Sequence, residues 1–170
     1  MNQTNQRTDL HLRDQRDQHD QRDPREQNEE EAAARPSGAR KHHEPSARAD
    51  RRAHQVIGAA IEVHRTLRTG FSERTYEAAL VHEMTLQGIP FVCQVPLVIR
   101  YKDVPVGEYQ LDLLVDEVLV VELKAASEIT PLHISQTIAY LAATDLNLGL
   151  IINFGRPTLR DNGIRRVVRT

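Results

Sequence analysis

The chain has 170 residues, with 22 basic and 24 acidic side chains, a formal net charge of -2 and a single cysteine. That length suits one core plus an appendage. The composition excludes a disulfide scaffold, a zinc cluster built on cysteines and a global positive field that would draw the protein to nucleic acid, so any nucleic-acid contact must be local.

Cys93 alone fits a reducing cytoplasm, the N-terminus has no apolar signal segment, and no run reaches bilayer-spanning length. The expectation is a soluble, cytoplasmic protein with no membrane partner.

Residues 1–49 hold almost no large apolar side chains after Leu12 and carry a near-repeat, Arg13-Asp14-Gln15-Arg16-Asp17-Gln18-His19-Asp20-Gln21-Arg22-Asp23. Nothing apolar there could offset the entropy of ordering, so a disordered, mixed-charge tail is expected, with a folded domain over residues 50–170. A solvated helix over residues 29–35 is the other reading, although so short an isolated segment is marginal in water. A tail with both signs interspersed is neither a basic arm nor an acidic one, which favours a solubilising extension or a mis-assigned start.

From Ala53 the apolar residues Val56, Ile57, Ala60, Ile61 and Leu67 follow the spacing of one helix face, and His64 lies on that stripe as a hydrogen-bonded core histidine. Thr69-Gly70 ends it. Ser72 is an N-cap for a second helix through Tyr76, Ala79, Leu80 and Met84, which stops near Gly88-Ile89-Pro90. Residues 91–96, 97–101, 106–115 and 118–124 then alternate and are β-branched, reading as a meander of three strands. Thr130-Pro131 starts a helix to about Thr144, residues 148–154 read as a buried strand, and residues 164–168 add a short final one. The fold class is therefore α/β, in the α+β sense.

An acid in the middle of an apolar strand needs explaining, because charged strand residues usually face water. Asp112 lies in Leu111-Asp112-Leu113-Leu114-Val115, and Glu122 and Lys124 close Val118-Leu119-Val120-Val121-Glu122-Leu123-Lys124. The pleat puts Glu122 and Lys124 on one face, about 7 Å apart. Whether Asp112 joins them depends on the turn. A two-residue loop at Asp116-Glu117 would pair Asp112 with Val121, on the wrong side. A three-residue loop, or an equivalent bulge, pairs it with Glu122 and brings the Cβ atoms to about 5 Å. Two buried carboxylates that close repel, and a divalent cation is the common resolution.

Asp112, nine intervening residues and then Glu122-Leu123-Lys124 resembles the Asp and Glu-x-Lys signature of the PD-(D/E)XK nuclease superfamily. Gly70-Phe71-Ser72-Glu73-Arg74-Thr75-Tyr76 matches the motif that names the GxxExxY protein family, a group of small prokaryotic proteins placed in that superfamily. Gly88-Ile89-Pro90-Phe91, His133-Ile134-Ser135-Gln136, Gly149-Leu150-Ile151-Ile152-Asn153-Phe154 and Ile164-Arg165-Arg166-Val167 extend the likeness over nearly all of residues 53–169. One departure is Arg68-Thr69-Gly70, where the family commonly has Gly-Pro-Gly.

The resemblance implies a restriction-endonuclease-like core, a small mixed sheet flanked by helices, with Mg²⁺ or Mn²⁺ held by Asp112 and Glu122 and a further ligand at the Leu123 carbonyl. Lys124 would orient the attacking water or neutralise charge developing on phosphorus. The superfamily's acid on the first core helix maps to Glu73, and the Gln and Tyr of its RecB-like members map to Gln136 and Tyr140. Each has a plainer reading: a structural ion-pair network for the triplet, a dipole-stabilising acid at a helix start for Glu73, and a solvent stripe for His133, Gln136 and Tyr140.

The function implied is metal-dependent hydrolysis of nucleic acid, most readily DNA. The alternative from another class is a non-catalytic binding or regulatory module acting with a protein partner or as a homo-oligomer, which the near-neutral charge and small size would suit. Hydrolysis of a small phosphate ester is a third reading. Arg160, Arg165, Arg166 and Arg169 could touch a phosphate backbone, but such a cluster is more often a solvated edge. Aromatics make up 4 per cent of residues, which disfavours a base-stacking platform.

Overall fold

The computed structural model describes residues 44–169, so most of the expected tail lies outside the described residues. The first helix, α1 (Ala47–Leu67), starts earlier than the apolar stripe suggests and reaches into the stretch assigned to the tail. Its start is set by polar and small residues that a search for large apolar side chains passes over. Ser46 caps it by accepting from the Ala49 amide, Asp50 lies in the first turn, and the buried face begins with Ala49 and Ala53 before Val56. Arg48 and Arg52 both reach the Asp116 carboxylate, at 2.6 Å and 2.8 Å, and so tie the start of α1 to a distant turn.

α1 ends on Arg68 at φ 60° and ψ -156°, backbone that strongly favours glycine. This is the position where the resembling family commonly has Gly. The next helix, α2 (Glu73–Leu86), is capped by Ser72 as expected, and Gly88 at φ 65° turns the chain toward the sheet.

Five strands follow: β1 (Phe91–Tyr101), β2 (Val104–Val115), β3 (Leu119–Lys124), β4 (Leu148–Asn153) and β5 (Ile164–Val168), with α3 (Pro131–Thr144) between β3 and β4. They form one mixed sheet in chain order, with β3 and β4 parallel and every other pair antiparallel. The expected fold class is therefore the one present, α+β with a small sheet flanked by helices. Alternate residues feed two apolar clusters. Val121, Leu123, Leu150 and Ile152 pack with α1 and α2, whereas Val120 and Ile151 pack with Tyr140 and Leu141 of α3. Among the described residues no helix is long and apolar enough to cross a membrane.

Two turns matter for the site. Lys102 and Asp103, both with positive φ, make a two-residue turn that pairs Tyr101 with Val104. The β2–β3 connection instead pairs Val115 with Leu119 and leaves Asp116, Glu117 and Val118 in the loop. Of the two registers open from sequence, the three-residue one is present. Because β3 pairs with β2 only at residues 113–115, the outer part of the β1–β2 hairpin extends past the end of β3 as an arm. Pro96 and the positive φ of Gln94 interrupt its outer edge, which discourages strand addition there.

Candidate active site

The pairing of Leu113 with Val121 and of Leu114 with Val120 ends one residue short of Asp112 and Glu122, and the Asp112 charge acts on the Glu122 carboxyl. Beyond the last paired residues, the Leu123 N–H donates to Asp112 Oδ2 at 2.7 Å. The side chain thus satisfies a main-chain donor where the two strands part. Burial is the largest influence on Asp112 and raises its pKa, opposed by the Leu123 N–H and by Lys124.

Glu122 shares the α3 face of the sheet with Val120 and Lys124, and it is 3 % exposed. Lys124 Nζ lies 3.5 Å from its Oε2, while Oε1 is buried with no hydrogen-bond partner. Burial first, and then the nearby Asp112 charge, push this carboxyl up to about 7; Lys124 opposes but does not win. A carboxylate oxygen orphaned in the interior costs free energy until something positive meets it.

That orphan is the observation on which a metal can be judged. Among the described residues no three His, Cys, Asp or Glu side chains are gathered to hold an ion, so the side-chain donors on offer are the Asp112 and Glu122 carboxylates. This donor set is all hard oxygen and incomplete, which suits Mg²⁺ or Mn²⁺, ions that keep several waters and take remaining ligands from a phosphate. The residues fit such an ion. Its electrostatic effect would be to stabilise both carboxylates in their charged forms.

Glu73, at the first position of α2, accepts from the Ala125 amide at 3.1 Å and therefore holds the chain immediately after Lys124. It is brought to the site by a backbone contact that its motif did not specify. Gln136 Nε2 donates to Tyr140 Oη at 2.7 Å on α3. Burial and then the Glu122 charge raise the Tyr140 pKa, with Asp112 adding a smaller push in the same direction. His133, on the same stripe, serves the helix instead, since with Thr130 it makes a reciprocal cap at the start of α3.

Asn153 has a role that sequence reasoning missed. Fully buried and paired with Lys124 across the parallel ladder, it donates to the Ala126 carbonyl and accepts from the Ala126 and Gly155 amides, at 2.9, 2.9 and 3.1 Å. A Cβ on Gly155 would collide with the Ala126 carbonyl and amide, so the loop after β4 sits directly against the end of β3. The signal was an Asn ending an otherwise apolar strand.

Several other residues fall outside this group. His64 is buried, with Nε2 2.8 Å from the Arg156 carbonyl. Arg166 pairs with Asp50 and Arg169 with Asp145, which assigns half of the C-terminal arginine cluster to tying elements together.

The sequence profile of the PD-(D/E)XK nuclease superfamily matches residues 50–167, a span that contains Glu73, Asp112, Glu122, Lys124, Gln136 and Tyr140. No curated protein and no solved structure matches the chain significantly.

Proposed function

Since the chain belongs to the PD-(D/E)XK nuclease superfamily, we propose that it hydrolyses phosphodiester bonds of nucleic acid, DNA foremost, with Mg²⁺ or Mn²⁺ held by Asp112, Glu122 and the Leu123 carbonyl. The observation that carries this reading is the unpartnered Glu122 oxygen beside Asp112, next to a lysine. The motif from Gly70 to Tyr76 supports the finer placement in the GxxExxY group, and a cytoplasmic location suits the lone cysteine.

The ion would supply Lewis acidity, making a water more acidic and withdrawing charge from the phosphodiester. The chain's own residues do the rest. Lys124, fixed by its strand and by the clamps on Ala125 and Ala126, presents an ammonium that orients the attacking water and offsets negative charge on phosphorus as the P–O bond to the leaving oxygen breaks. Gln136 and Tyr140 donate hydrogen bonds to phosphate oxygens. Glu73 acts through Ala125 as a positioning residue.

Three proteins test this: the full chain and its Asp112→Asn and Lys124→Ala variants. Calorimetry should register Mn²⁺ or Mg²⁺ binding that Asp112→Asn weakens, since one anionic ligand is gone. Lys124→Ala should keep or tighten metal binding while cleavage of labelled DNA or RNA falls about 100-fold or more. A wild type that binds metal yet cuts no polynucleotide would favour the non-catalytic module. A wild type without metal affinity, in which Asp112→Asn only destabilises, would make the triplet a structural ion-pair network.

A further inference from the structure

A groove of about 1260 Å³ runs between the β1–β2 arm and α3 and opens on Lys124, Gln136 and Tyr140. Its walls are unlike a phosphate track. Val98 and Val106 on the arm and Leu132 on α3 line it, all three exposed, with Leu132 74 % so. Among the described residues Arg100 and Lys124 are its only lysine or arginine side chains.

A duplex is held mainly by neutralising many phosphates on both strands, and a groove with two such cations in a chain of net charge -2 is poorly equipped for that. Its apolar surface matches the faces of bases, which are available only when a strand is unpaired. Aromatic residues are scarce, yet two of the four tyrosines stand in this groove. Tyr109 is 50 % exposed, and its ring packs edge-on to that of Tyr140 with centroids 5.9 Å apart. The buried tyrosine fixes the exposed one, so a base stacking on Tyr109 would lie in the groove that Lys124 also lines.

We propose that this groove binds single-stranded nucleic acid, stacking an unpaired base on Tyr109, and that the substrate is an unpaired strand or end in preference to an intact duplex. The inference rests on the nuclease reading above for its catalytic centre, but the groove can be tested without cleavage. The continuity of the groove with Lys124, Gln136 and Tyr140 is what favours a substrate strand over a protein segment as its occupant.

Fluorescence anisotropy of the full chain in EDTA would use a labelled mixed-sequence 12-nucleotide strand and the blunt duplex of the same sequence. The single strand should bind about tenfold or more tighter than the duplex. Tyr109→Ala should weaken single-strand binding by about tenfold, Tyr109→Phe should largely retain it, and duplex binding should not change. Equal or tighter duplex binding, or no effect of Tyr109→Ala in a protein with unchanged circular dichroism, overturns the inference. So does a wild-type dimer that binds no strand and that Leu132→Asp dissociates, which would give the groove to a second copy. Cleavage separates the two readings: a protein that cuts duplex through Lys124 remains a nuclease with the groove misassigned, and one that stacks a strand on Tyr109 but cuts nothing keeps the groove and loses the nuclease.

Discussion

Glu122 concentrates the conflict between folding and function in one carboxyl. Its pKa in the folded protein is about 7, against about 4.5 when free in an unfolded chain. Below pH 4.5 both states hold the proton and nothing is lost. Between 4.5 and 7 the folded state keeps a proton that the unfolded state releases, so stability falls as pH rises, and above about 7 the cost is complete, roughly 3 kcal/mol. In EDTA, urea unfolding of wild type should therefore show a loss of stability from pH 5 to pH 8 that Glu122→Gln largely abolishes. An identical pH slope in the variant would remove Glu122 as the cause. Mg²⁺ should restore stability at pH 8 in wild type and do less in the variant, since the ion binds the charged folded form. Sequence showed that this residue was anomalous, an acid in an apolar strand, but not how far it is buried, because α3 covers it from a distance in the chain.

Secondary elements were legible wherever one period or one cap dominates. Ser72 and Thr130-Pro131 fixed two helix starts, and the alternation after Pro90 fixed the strands. Relations between elements were less so. The β2–β3 register turns on whether Val118 belongs to the loop or to the strand, a one-residue choice that leaves composition unchanged yet decides which face Asp112 occupies. The clamp between the ends of β3 and β4 was invisible for a similar reason, since Asn153 contacts Ala126 only after the parallel pairing forms. Asn153→Ala should remove three hydrogen bonds and leave two half-buried amides unmet, lowering stability by about 2 kcal/mol and speeding exchange of the Ala126 amide. Asn153→Asp should fall between, because it can still accept from Ala126 and Gly155 but cannot donate to the Ala126 carbonyl. If Asp proved as damaging as Ala, the accepting bonds would not be the ones that hold the loop.

At the scale of the whole molecule, the sequence divides near residue 50, and the first helix begins a little earlier, at Ala47. Large apolar residues begin at Val56, which sets the compositional division, whereas the helix is anchored by Ser46, by Ala49 and by the Arg48 and Arg52 bonds to Asp116. These two boundaries predict different truncations. Removing residues 1–43 should leave the thermal transition nearly unchanged, since that stretch has little apolar surface to contribute. Removing residues 1–49 also deletes the cap, a buried alanine and one of the two arginines on Asp116. Loss of an N-cap alone costs about 1 kcal/mol, so Tm should fall by several degrees for a domain of this size. The Asp116 carboxyl is held far below its usual range by the two arginines, so its contribution is present at neutral pH and is lost as pH falls below about 4. The gap between the two truncations should accordingly narrow in acid. Equal melting at neutral pH would return the boundary to residue 50, and a large loss on removing residues 1–43 would show that the N-terminal stretch packs on the domain.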